Sequence, residues 1–357
     1  MSSIAVTCGL IILVLLVIML LAGVPIAVAL AVSSIAAILP VLNTGAAVLT
    51  GAQRIFSGIS VFSLLAIPFF ILAGNLMNKG GIAIRLINFA KLFTGRIPGA
   101  LAHTNAVANM LFGAISGSGT AAASAMGSII GPIEEEEGYD RDFSAAANIA
   151  TAPTGLLIPP SNVMITYSLV SGGTSVAALF MAGYIPGILM GIGSMVVAFI
   201  YAKKHKYPTS GKTPMKEALK VTLEAIPSLL LIIIVIGGIV AGIFTATEGA
   251  GICVLYCLIL SICYRSITVK SFMKILVSSA CTSGIILFLI SASSAMSFVM
   301  AYSGIPAAIS NGIMSISTNK YVIFLLMNVI LMVVGMFMDI TPAILIFTPI
   351  FLPIAQS

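Results

Sequence analysis

The stretch "GAISGSGTAAASAMGSIIGP", Gly113 to Pro132, runs straight into "EEEEGYD". It is mostly Gly, Ala and Ser, in a chain otherwise rich in Leu, Ile, Val and Met. Small and hydroxylated residues build a poor hydrophobic core, so their density here needs a reason. Close helix contact through Gly113-x-x-x-Gly117 and Gly127-x-x-x-Gly131 is one. A break in a membrane helix is another, because freed backbone groups must then be met by protein, water or an ion.

The surroundings decide where such a break would sit. The 357 residues are 60% hydrophobic and only 7% charged, a composition that belongs in a bilayer rather than in water. Apolar runs long enough to cross are read at 4–22, 25–39, 60–78, 176–202, 225–243, 246–264 and 275–300. No charge precedes Arg54, so the first segment is read as two helices meeting near Gly23–Pro25 rather than as a cleaved leader. Two regions, 98–133 and 321–356, are apolar but interrupted. A third, 143–170, is broken by "TAPTGLLIPPS".

The net charge of +6 does not point to nucleic acid, because the basic residues fall in short loops between apolar runs. "KKHKYPTSGKTPMKEALK" carries six lysines between Lys203 and Lys220 and is expected in the cytoplasm. The loops 79–97 and 265–274 are basic and belong on the same side. The crossing count closes only if 98–133 dips into the membrane and returns. The small-residue stretch is then a re-entrant hairpin, 134–142 is its cytoplasmic exit, and the N-terminus is periplasmic.

The element order repeats. Residues 1–202 hold scaffold spans (4–78), an arm (79–97), the hairpin (98–133), the broken helix (143–170) and a span (176–202). A basic linker, 203–224, leads to 225–357, with spans (225–300), a polar connector (303–320) and a second hairpin (321–356). Thr120 and Pro132–Ile133 answer Thr341 and Pro353–Ile354 at one constant offset. The halves have opposite topology, so the predicted fold is an all-α polytopic membrane protein of the inverted-repeat elevator type, with re-entrant hairpins and broken helices.

Hydroxyls and freed carbonyls at "SGSGT" (Ser116, Ser118, Gly119, Thr120) and "TAPTG" (Thr151, Thr154, Gly155) could converge on a hard cation such as sodium. Asp339 is the one carboxylate in the second interrupted run and is a candidate for substrate. Plainer readings stand beside these. "PTGLLIPPS" could be a proline kink, Asp339 could lie at a wet rim, and Glu134–Glu137 reads as a solvated loop face. Glu248 is expected at a short outer turn. The five cysteines and two histidines show no metal, disulfide or nucleophile pattern, so no enzyme is read here.

"GAISGSGTAAASAMGSIIGPIEEEEGYDRDFSAAANIATAPTGLLIPPSN" through "AGYIPG", with "GNLMNKGGI" before it and "GIFTATEGAG" after it, resembles the large membrane subunit of TRAP (tripartite ATP-independent periplasmic) transporters. The likeness covers essentially the whole chain. It implies sodium-coupled uptake of small organic anions, dicarboxylates or acidic sugars, across the bacterial inner membrane. It also implies a small four-helix membrane partner, a periplasmic substrate-binding protein, and no cofactor but the coupling ion. By that resemblance Ser116, Ser118 and the Thr151–Gly155 turn serve one sodium site, and Gly335, Asp339 and Thr341 the ion and substrate region of the second half. Asn148, Pro159 and Ser161 join the expected substrate residues. "EEEEGYD" is more acidic than the family's usual hairpin exit. A complete second repeat would need roughly 70 residues more, to supply a second broken helix. A self-sufficient sodium/anion symporter and a channel are the competing functions.

Overall fold

A computed structural model describes residues 3–209, 211, 214–316, 319–336 and 338–356. Within helices, the side chains of residues 3, 115, 116, 310, 313, 314 and 316 lie outside that description. Among the described residues the chain is 84% helical, without strands.

The first quarter holds α1 (Ser3–Leu21), α2 (Ile26–Ile38), α3 (Thr44–Ile59) and, after a 3-10 turn at Phe62–Leu65, α4 (Ala66–Lys79). Then come α5 (Ile82–Thr94), α6 (Ala100–Ser116), α7 (Gly119–Glu136), α8 (Arg141–Thr151), α9 (Thr154–Leu157) and α10 (Asn162–Val170). The rest is α11 (Val176–His205), α12 (Met215–Val240), α13 (Ala246–Cys263), α14 (Val269–Ser303), α15 (Ile305–Ile316), α16 (Lys320–Gly335) and α17 (Ile340–Gln356).

Six segments among the described residues are long and apolar enough to cross a membrane: Ile4–Leu21, Phe62–Lys79, Val176–His205, Met215–Val240, Ala246–Cys263 and Val269–Ser303. The protein is therefore an all-α, multi-pass membrane protein. The run expected to cross at 25–39 is a helix of 13 residues. At 1.5 Å per residue it is about 20 Å long, short of the ~30 Å apolar layer.

Three features add to the expected order of elements. Helix α3 was not anticipated: Asn43 caps it, its side chain accepting from the Ala46 N–H at 2.8 Å. The basic linker expected at 203–224 is largely helical. Lys203, Lys204 and His205 form the last turn of α11, where cations suit the helix dipole, and α12 resumes at Met215. The polar connector expected at 303–320 contains α15, whose apolar face and polar face alternate at helical spacing.

The chain divides into two compact units. One comprises Leu65–Ile165 and Ser175–Cys281. There α4 packs along α13, and α6 is the centre, touching α4, α5, α7, α8, α9 and α11. Asn75 Nδ2 donates to Ser279 Oγ at 2.8 Å, and the Arg85 guanidinium lies over the Tyr264 ring at 3.5 Å. Cys253 and Cys257, one turn apart on α13, are both buried as packing residues. Glu248 is a helix-capping residue, paired with Thr245 in a reciprocal capping box at the start of α13.

The other unit comprises Met1–Leu64, Thr166–Thr174 and Thr282–Ser357. In it α1 packs on α2 and α15, α2 on α3, and α17 on α15 and α16. Ser291 Oγ donates to the Ile55 carbonyl at 2.8 Å, Ser293 Oγ to that of Leu345 at 3.2 Å, and Arg54 covers the Phe298 ring at 4.1 Å. These units group residues by contact, whereas the sequence repeat groups them by order along the chain.

Candidate functional site

Two broken elements meet inside the first unit. Helix α6 stops because Gly117 adopts a left-handed conformation, φ 62°, which costs glycine nothing. Ser118 is extended and caps α7, its hydroxyl accepting from the Ala121 N–H at 3.3 Å. The Ser118 and Thr120 hydroxyls are 3.1 Å apart. The result is helix, two-residue break, helix, with the break at the sequence-expected "SGSGT".

The partner element breaks twice. Helix α8 ends at Thr151, before Pro153, which has no N–H to continue the ladder. The Thr154 hydroxyl turns back to the Thr151 carbonyl at 2.6 Å. After the single turn of α9, Ile158 is extended and Pro159, Pro160 and Ser161 carry the chain to α10. Thr151, Thr154, Gly155, Pro159 and Ser161 are buried.

Glycine lets the two elements touch backbone to backbone. A Cβ on Gly113 or on Gly155 would lie 2.3 Å from the other's Cα, where no side chain fits. A Cβ on Gly119 would meet Leu156 Cδ1 at 3.1 Å, and one on Gly117 the Asn162 backbone nitrogen at 2.9 Å. The close contact expected of the small residues holds at Gly113, Gly117 and Gly127 but not at Gly131, where an added Cβ would meet nothing within 4 Å. Helix α11 closes the outer side through Gly183 and Gly187, which admit Leu157 and Ile158.

A buried amide network ties the breaks to the helices. Asn109 Nδ2 lies 2.9 Å from Asn105 Oδ1, 3.1 Å from Asn148 Oδ1 and 2.8 Å from Thr151 Oγ1. Its two protons can serve only two of them at once. Asn148 Nδ2 donates to the Ala123 carbonyl at 2.8 Å, so this residue, expected at the substrate, also cross-links α6, α7 and α8. Asn109 Oδ1 is buried without a hydrogen-bond partner, and so is Ser161 Oγ. Asn105 and Asn109 were not anticipated, although two amides four residues apart on an apolar helix share one face.

Gly113 and Gly119 thus lie against Gly155 and Leu156, while the Thr120 side chain is exposed and those of Thr151 and Thr154 are buried; Asn148, Pro159 and Ser161 lie along the same broken element. The Ser116 side chain lies outside the described residues. Gly335, Asp339 and Thr341 belong to the other unit, at the break between α16 and α17. There Asp339 is exposed and its carbonyl accepts from the Ala343 N–H at 3.2 Å.

The acidic run is not the uniform solvated face expected of it. Helix α7 continues through Glu136, Glu135 and Glu136 are exposed, and Glu134 is buried. The following turn is clamped by aromatic rings. Phe143 stacks on Tyr201 at 4.3 Å and Tyr139 on Tyr207 at 4.4 Å, while the Asp140 N–H donates to Tyr207 Oη at 3.0 Å. Burial pushes the Tyr139 phenol up to about 12.

A family model described as "Tripartite ATP-independent periplasmic transporter, DctM component" matches residues 13–357. The chain belongs to this TRAP family. As a TRAP large permease it has relatives along nearly its whole length. It is 54% identical to the uncharacterised protein YgiK of Salmonella typhimurium, over 95% of this chain and 78% of that one. It is 36% identical to the sialic acid TRAP transporter large permease protein SiaM of Vibrio cholerae, over 95% and 79%. It is 35% identical to the C4-dicarboxylate TRAP transporter large permease protein DctM of Rhodobacter capsulatus, over 96% and 80%. This TRAP permease is a transporter subunit of the membrane, not an enzyme.

Proposed function

We propose that this permease imports small organic anions, of the dicarboxylate or acidic sugar class, by sodium-coupled secondary transport. The observation that carries the reading is the Gly113–Gly155 contact. It brings the hairpin break against the broken helix, and that approach of two interrupted elements supports an uncharged, oxygen-rich site for a hard cation between them. Ser118, Thr120, Thr151 and Thr154 supply the hydroxyls, and Ser116, Gly119 and Gly155 the adjoining main chain. In the other unit, Gly335 and Thr341 flank a second ion region, with Asp339 beside the substrate.

The substrate class follows the relatives, whose names specify sialic acid, C4-dicarboxylates and 2,3-diketo-L-gulonate. These three carry carboxylates, and isethionate, named for a further relative, is a sulfonate. In this reading a periplasmic binding protein delivers the anion and a small four-helix membrane subunit completes the complex. One relative, the isethionate permease DctMQ of Oleidesulfovibrio alaskensis, is longer, with 53% of its length matched. The protein sits in the bacterial inner membrane, N-terminus outside, with the lysine-rich loop after α11 in the cytoplasm. An elevator motion requires two bodies that keep their own packing, and the division into two compact units supports it.

The test is uptake by proteoliposomes holding both membrane subunits, supplied with the binding protein and candidate acids. Saturable uptake that follows an imposed sodium gradient and stops without the binding protein supports the reading. Flux indifferent to sodium, or one that rises linearly with substrate as through a pore, contradicts it.

A further inference from the structure

Helix α7 carries Glu134 inward at the end of the hairpin opposite Ser118, about 24 Å away along the helix axis. The residue is 1% exposed and its Oε1 has no hydrogen-bond partner. It lines a cavity of about 330 Å³ with Asn105 of α6, Gly131 of α7, and Arg141, Ser144 and Asn148 of α8. The Ser144 hydroxyl is buried on the same cavity, close enough to the carboxyl to temper its shift.

An ionised carboxylate without a counter-charge is costly in such a place, and proteins avoid the cost by neutralising the group. The neighbours do not do so. Glu137, just past the end of α7, adds negative charge, as would an ionised Tyr139. Arg141 and Asp142 on α8 are exposed to solvent. Tyr207 packs on Tyr139, and the titratable residue of α6, His103, is buried. Helix α9 carries no titratable group.

We propose that Glu134 is a proton-binding site, occupied while α7 and α8 pack together and emptied through the cavity to solvent. The exchange is a simple dissociation. The carboxyl O–H bond breaks, its electron pair remains on the carboxylate, and the proton passes to water in the cavity. Burial holds the carboxyl up at about 7, with Ser144 opposing the shift and Glu137 adding to it. The cavity lies at the other end of α7 from Ser118, and this inference stands whether or not the proposed cluster there binds sodium.

Infrared difference spectroscopy of the full chain in phosphatidylcholine nanodiscs reads the proton directly. The titration runs from about pH 5 to about pH 9, in sodium chloride and separately in choline chloride. The expected result is a protonated-carboxyl band lost with a midpoint near 7, at the same pH in both salts. The band is absent from Glu134→Gln and retained in Glu135→Gln. A midpoint in the ordinary carboxylate range, or a band that survives Glu134→Gln, overturns the proposal. So does a midpoint that sodium moves by about one pH unit or more, which would make the cavity a sodium site. The wild-type titration and the comparison of salts need no variant to fold.

Discussion

The two interrupted runs have the same outline and different surroundings. At the first, the break after Gly117 lies against a second broken element, with Gly113 and Gly155 in backbone contact. At the second, between α16 and α17, an added Cβ on Gly335 meets nothing within 4 Å and Asp339 is exposed. Small residues are therefore not equivalent evidence at the two places. Glycine at the first is required by the approach of two chains. At Gly335 no contact among the described residues requires it.

The largest expected effect breaks that comparison most plainly. Gly155→Ala drives a methyl into the Gly113 backbone and should cost about 3 kcal/mol or more, because neither main chain can retreat. Gly335→Ala should change stability by less than about 1 kcal/mol. Thermal melts of the two variants in nanodiscs check this pair. Equal losses would show that the first contact is less tight than its geometry.

The next effect depends on pH. The Glu134 carboxyl at about 7 lies above its ordinary value of 4.5. A raised carboxylate favours the protonated fold, so its contribution is intact below about 4.5 and is lost as pH rises through about 7. Glu134→Gln should flatten that decline, gaining on the order of 3 kcal/mol above neutral pH and nearly nothing at acid pH. Melts across the pH range give the difference. A gain independent of pH would point to packing instead.

Smaller again is Asn109→Ala, which takes the shared donor from Thr151 and Asn148 and should cost about 1–3 kcal/mol. The loss should be accompanied by faster hydrogen exchange at α8 and α9, and leave α16 and α17 unchanged.

Much of this was legible in the sequence for identifiable reasons. Gly117 and Ser118 announce a helix stop and a cap, and Pro153 and Pro159 a helix that cannot continue, so both breaks fall where residue chemistry places them. The contact between them was not legible, because Gly113 and Gly155 are 42 positions apart and glycine alone names no partner. Glu134 was hidden by its neighbours. Four consecutive acids read as solvated, yet successive helical residues turn by about 100°, so one of the four faces inward. Lys203 and Lys204 looked like loop because they are charged, but a helix C-terminus favours cations. Helix α3 escaped notice because Gly45, Gly51, Gly58 and Arg54 weaken the hydrophobic run, while only Ala47 and Gly51 are buried.

The central claim is that the first break, with the broken helix against it, holds a coupling ion. Sodium titration calorimetry on the purified chain tests it without knowledge of the substrate. Saturable binding is expected, weakened about tenfold, or ~1.4 kcal/mol, in Ser118→Ala. The same variant should then need more sodium for half-maximal uptake. Superimposable isotherms for wild type and Ser118→Ala would remove Ser118 from the site and contradict the account.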